Sequence, residues 1–172
     1  MLLQKDFLQT DLSVIKAVGE EKEDENYDFR VFVKGLNEAE VDKIVHQLNA
    51  EITPKIDCTA CGNCCKTLMI NVEESDLVRL ANHLEMDVTE TKSKFIEESM
   101  GKEMIINTIP CHFLKDTVCT IYPYRFTDCR EFPHLHKTGF ARRSLGTLMH
   151  YGSCPIIFNV VEGLKVELGF YW

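Results

Sequence analysis

The chain has 172 residues, a formal charge of −8 and eight cysteines, with no excess of Pro or Gly. That length suits one domain with a core of its own, and the acidic balance excludes the basic surface that nucleic acids and anionic membranes require. The opening Met1-Leu2-Leu3-Gln4-Lys5-Asp6 lacks the basic and apolar segments of a secretory leader. Polar residues break every apolar run before the ~18 residues of a membrane helix, so the expected location is the cytosol.

The first predicted element is a helix from about Leu2 to Val18, with Leu3, Phe7, Leu8, Leu12, Ile15 and Val18 at roughly helical spacing. Gly19 to Tyr27 is an acidic run, read as a solvated face or loop with no partner assigned. Asn37 reads as an N-cap, with Glu40 three residues on, and Val41, Ile44, Val45 and Leu48 form the stripe of a second helix. A third helix is expected near Ser75, burying Leu77, Leu80, Ala81 and Leu84, and a fourth near Thr89 carries Phe95 and Ile96. Between Met104 and Ile121, short β-prone runs around Lys115-Asp116-Thr117 predict a hairpin. Pro155 fits the first position of a C-terminal helix with Ile156, Ile157, Val160, Val161, Leu164 and Leu168 on its apolar face. The expected fold is mainly α with a small irregular β hairpin element, an α+β cysteine-cluster domain. Residues 1–55 form a helical segment packed on a metal-binding domain of residues 56–172, the two making one folded unit.

The cysteines carry the chemistry. In a reducing compartment, and in a chain that needs no staples, eight of them point to metal binding or redox work rather than disulfides. Cys58-Thr59-Ala60-Cys61-Gly62-Asn63-Cys64-Cys65 is a CxxCxxCC array. Its two-residue gaps let successive thiolates converge, Gly62 gives the backbone freedom for the turn, and exposed amides there can bond to sulfur. Adjacent Cys64 and Cys65 are expected to point apart and need not share an ion. Cys111, Cys119, Cys129 and Cys154 are dispersed, with Pro110, Pro123, Pro133 and Pro155 stiffening the backbone beside them. All eight are candidate ligands, for one multinuclear site or for two sites of four ligands.

The pattern has no second CxxC knuckle of the zinc-ribbon kind. Its first three cysteines match the opening of bacterial ferredoxins, and Cys154-Pro155 matches their ending, although the fourth cysteine is misplaced. An iron–sulfur cluster is therefore placed ahead of zinc.

These residues carry a resemblance. The array is followed by Pro110-Cys111-His112-Phe113-Leu114, Cys119-Thr120-Ile121-Tyr122, Arg125, Cys129-Arg130-Glu131-Phe132-Pro133 and Cys154-Pro155. In order and spacing this resembles the YkgJ-type cysteine-cluster family, described as a zinc- or iron-chelating CxxCxxCC domain, from about Ile56 onward. Arg125-Phe126 stands where the family usually has Arg-Pro, which removes no ligand. The resemblance implies metal chelation and no settled reaction. A related region occurs in flagellin lysine N-methylases, so methyl transfer is a further reading, for which the chain shows no methyl-donor fingerprint.

The function expected is metal binding by clustered thiolates, with a redox or metal-handling role. The alternatives are a structural zinc-binding adaptor and, ranked lower, a thiol oxidoreductase using Cys61-Gly62-Asn63-Cys64. No catalytic residue is assigned. The partners are the metal or cluster and an unidentified protein, with no nucleic acid and no membrane. His112, His134, His136 and His150 are read as surface or supporting residues. Arg125 and Arg130 either offset the charge of a thiolate cluster or pair with Asp128 and Glu131. Phe170-Tyr171-Trp172 is expected to pack back on the domain.

Overall fold

The computed structural model describes residues 8–172. Three helices come first, α1 (Leu12–Glu21), α2 (Glu23–Lys34) and α3 (Glu38–Ile52). The single turn α4 (Cys58–Cys61), β1 (Ile70–Asn71), α5 (Glu74–Leu84) and α6 (Val88–Phe95) follow. Short strands β2 (Glu97–Glu98), β3 (Met104–Ile106), β4 (Leu114–Lys115) and β5 (Val118–Cys119) then lead to α7 (Thr127–Glu131), α8 (Phe140–Leu148) and α9 (Pro155–Glu167). The fold is mainly α with small antiparallel β elements, as expected. The described residues divide into two compact units, residues 8–57 with 133–172, and residues 58–132.

The first unit is helical. Asp11 starts α1 by accepting from the amides of Ser13 (2.8 Å) and Val14 (3.3 Å). The expected Leu2–Val18 helix thus begins at Leu12 among the described residues, and Leu3 and Phe7 lie outside them. Asn37 caps α3 as its sequence indicates, through Ala39 and Glu40. α9 opens on Pro155, buries Ile156, Ile157, Val160, Val161 and Leu164, and packs on α3.

The acidic run is helical rather than a loop. Glu20, Glu21, Glu23 and Asp24 are exposed, but Lys22 and Glu25 turn inward. Lys165, nearly buried, donates to Glu25 (2.7 Å) and Glu162 (2.8 Å), and Lys22 meets Glu162 at 2.6 Å. The hydroxyl of Tyr151 also donates to Glu162, at 2.8 Å. This satisfied network offsets the cost of taking four charges out of water. Phe170 packs on Phe29 and Phe32, and the Trp172 indole donates to Asp28 at 2.9 Å, so the aromatic end folds back within this unit.

The second unit is built around Ile70, Val72, Leu77, Leu80, Ile106, Phe113, Ile121 and Phe126. β3 is the centre of a three-stranded antiparallel sheet, with Ile70 opposite Ile106 and Glu97 opposite Ile105. Met104–Ile106 therefore belongs to this sheet and not to the hairpin. The hairpin is β4–β5, with Leu114 opposite Cys119 and a turn at Asp116-Thr117. Asp116 adopts the left-handed conformation that Asp tolerates in tight turns.

Candidate metal centre

The first cysteine group is shaped by its glycine. Cys58 and Cys61 lie one turn apart on α4, which closes when the Gly62 amide donates to the Cys58 carbonyl at 3.0 Å. Gly62 then takes φ +59°, and a Cβ there would stand 2.5 Å from the Thr117 carbonyl oxygen. Only glycine allows both the left-handed turn and this approach to the hairpin tip. Cys64 and Cys65 follow on a 3-10 turn over Cys64–Lys66.

The later cysteines are placed by the core. Cys111, Cys119 and Cys129 are half-buried and pack against the cluster that holds Phe113, Ile121 and Phe126. The Cys111 amide donates to the Cys65 carbonyl at 2.8 Å, which joins the array to the hairpin segment. The amides of Phe113 and Ile121 each donate to the thiol two residues before them, on Cys111 and Cys119. Such N–H to sulfur bonds favour the thiolate, the form that binds metal. α7 carries Cys129 and is anchored by fully buried Asp76, whose carboxylate accepts from the Thr127 amide (3.0 and 3.1 Å) and hydroxyl (2.9 Å). Arg79 pairs with the same carboxylate.

Five cysteines influence one another directly. Cys64 and Cys65 hydrogen-bond through their side chains, contrary to the expectation that they point apart. That bond, helped by backbone amides and the charge of Arg125 and opposed by burial, brings Cys64 down to about 7. The same bond, then burial and the nearby thiols of Cys64, Cys111 and Cys119, pushes Cys65 up. Burial raises Cys111 and Cys119, and it pushes Cys129 to about 12 with help from Cys111, Cys64 and Cys119.

α4, bearing Cys58 and Cys61, packs on β5, which bears Cys119; Cys58 is exposed and Cys61 half-buried. Cys61 ends α4 and Cys64 opens only a single 3-10 turn, so no α-helix starts at the Cys61–Cys64 pair. Cys154 is buried in the helical unit, just before α9. His112 is exposed and rests edge-on against Phe95, and burial lowers His150. Among the described residues, no three Cys, His, Asp or Glu side chains are grouped closely enough to enclose a metal ion. The donor chemistry nevertheless fits zinc or iron: soft sulfur donors with backbone amides directed at sulfur on Cys111 and Cys119.

Asp76 and Arg79 are absent from the sequence reading. Asp76 looks there like an ordinary first-turn helix residue, and nothing local marks Arg79.

A helical scaffold with a cysteine-rich, core-mounted sulfur site defines a metal-ligating domain. The chain belongs to the CxxCxxCC family, described as a "putative zinc- or iron-chelating domain", whose match spans residues 57–146. Membership supports a general metal-binding role. No curated protein and no solved structure matches the chain. No helix among the described residues is long and apolar enough to cross a membrane.

Proposed function

We propose that the chain binds an iron–sulfur cluster or zinc through cysteine thiolates of residues 58–132, in a redox or metal-handling role. The observation that carries this reading is that Cys111, Cys119 and Cys129 pack on one hydrophobic core, with the Cys111 amide bonded at 2.8 Å to the carbonyl of Cys65, whose thiol hydrogen-bonds that of Cys64. These five are the proposed principal ligands. Cys58 and Cys61 are proposed to join them or to complete a second site, and Cys154 is the eighth candidate. Iron–sulfur stays ahead of zinc on the likeness of the first three cysteines to a ferredoxin opening. A reducing compartment, with the cytosol as the proposed one, suits thiols held for metal.

The bound metal would supply either electron transfer or redox-silent coordination. The chain supplies the sulfur donors, the amides that favour their ionised form, and the core that brings them into one region. The Cys65–Cys111 backbone bond and the hairpin register hold the segments that carry these cysteines.

The test is anaerobic purification, followed by metal analysis and a visible spectrum of the same sample. Iron with labile sulfide and absorbance near ~400 nm supports the cluster; colourless protein with stoichiometric zinc supports the redox-silent form. Folded protein that takes up neither metal after reconstitution overturns the proposal. Serine at Cys111 or Cys129 should lower metal content sharply.

A further inference from the structure

Aromatic and cationic side chains gather at the turn between β5 and α7. Tyr122–Tyr124 form a 3-10 turn there, with Tyr122 36% and Tyr124 40% exposed. The Arg125 guanidinium stacks 3.9 Å from the Tyr122 ring, and its Nη1 donates to the Tyr122 carbonyl at 3.0 Å. Arg130 Nε donates to the Arg125 carbonyl at 2.9 Å and Nη2 to the Pro123 carbonyl at 3.1 Å. Arg79 Nη2 reaches the same Arg125 carbonyl at 3.0 Å. The exposed His83 ring stacks on Tyr124, with centroids 4.0 Å apart.

The chain has 27 acidic residues against 19 basic ones. Arg79 is answered by the Asp76 carboxylate, whereas Arg125 and Arg130 are held by backbone carbonyls and a ring. Such partners fix a guanidinium without cancelling its charge, and they leave N–H donors to spare. Tyr and Arg are the side chains enriched at the energetic centres of protein interfaces, and holding them in place beforehand lowers the entropy lost on binding. The surface is therefore complementary to carboxylates. A long polyanion is opposed by the chain's charge of −8. A short acidic segment instead meets the two arginines within a Debye length of roughly 10 Å, where local charge decides.

We propose that Tyr122, Tyr124, Arg125 and Arg130 form a docking surface for a short acidic segment of a partner protein. The two guanidiniums take its carboxylates, and the tyrosine rings take its apolar atoms. This surface belongs to the unit that carries Cys111, Cys119 and Cys129, but the inference stands whether or not those thiols hold metal. The clamp made by Arg79 and Arg130 uses the backbone carbonyl of residue 125, which any residue supplies, so replacing the Arg125 side chain leaves the turn in place.

The experiment is fluorescence anisotropy with the reduced full-length chain and a short fluorescein-labelled peptide of Glu, Asp and Leu, beside a matched peptide of Gln, Asn and Leu. The acidic peptide should bind at least about 10-fold more tightly than the amide one. Arg125→Gln and Tyr122→Ala should each weaken it by about 10-fold. Arg142→Gln removes the same charge from α8, where Arg142 meets Glu38 at 3.1 Å, and should bind like the unsubstituted chain. Melting curves show that the variants are folded. Equal binding of the two peptides to the unsubstituted chain, or binding of neither, overturns the proposal without recourse to any variant. So does an equal loss in Arg125→Gln and Arg142→Gln, which marks a general charge effect. Tighter binding of a labelled single-stranded DNA overturns it in favour of nucleic acid. A dimer in sedimentation that the acidic peptide dissociates and Arg125→Gln abolishes overturns it in favour of a second copy of the chain.

Discussion

The amide of Cys111 donates to the carbonyl of Cys65 across 2.8 Å, joining a cysteine of the first array to one that opens the hairpin segment. Cys65 lies in the 3-10 turn Cys64–Lys66 and Cys111 in a loop, so the two segments are tied here outside any sheet pairing. The approach of Gly62 to Thr117 provides the second tie.

Gly62→Ala should therefore be costly on two counts. The left-handed backbone disfavours alanine by about 1–2 kcal/mol, and its Cβ would collide with the Thr117 carbonyl at 2.5 Å. Gly169→Ala is the control: φ is also positive, at +65°, but nothing lies within 4 Å of the added carbon. Melting and zinc content of the two variants separate the effects. Both should lose stability, and only Gly62→Ala should lose metal.

Asp76→Ala removes the carboxylate that holds the start of α7 and answers Arg79. Breaking a buried pair of this kind costs about 3–5 kcal/mol. A lower thermal midpoint should be accompanied by reduced zinc occupancy, since α7 carries Cys129. Unchanged melting would remove the anchoring role.

Metal uptake should acidify the solution. Burial holds the protons on Cys111, Cys119 and Cys129 at neutral pH, so binding must displace them. Cys64, at about 7, contributes less than one proton there. The sign follows: apparent affinity rises with pH and falls as acid competes for sulfur. A weakly buffered zinc titration with a pH indicator measures the protons, and uptake without acidification would count against thiolate binding.

The helical unit should have its own acid limit. Burial alone would raise Glu162, but Lys165, Lys22 and Tyr151 outweigh it and hold the carboxyl below its ordinary value of 4.5. A depressed carboxylate stabilises the fold above its unfolded value, and that contribution is lost as pH falls from about 4.5 through the folded value. Glu162→Gln should melt earlier at pH 7 and lose less on acidification. Parallel melting curves of both proteins from pH 7 to about 3 test this.

Much of this architecture can be read from the sequence where local chemistry decides it. The Asn37 cap, the stripe on α5, Pro155 at the head of α9 and the CxxCxxCC array all announce themselves within a few residues. α2 escapes because its acids suggest a solvated run, while Phe29 and Val33 point inward from the same helix. Met104–Ile106 looks like an arm of the hairpin that holds Cys119, but it pairs with the neighbouring Glu97–Glu98 and with the distant Ile70–Asn71, and the distant pairing leaves no local mark. The importance of Gly62 depends on Thr117, far along the chain, and that approach is a fact of tertiary packing.

Each later sulfur in this unit has a core residue as a near neighbour in sequence: Phe113 after Cys111, Ile121 after Cys119, Phe126 before Cys129. The apolar side chains therefore do the work of assembly, and the donors arrive with them. An apolar core of this kind should stand without metal, so that a chelator would empty the proposed centre and leave a unit that can refill without searching again for its shape.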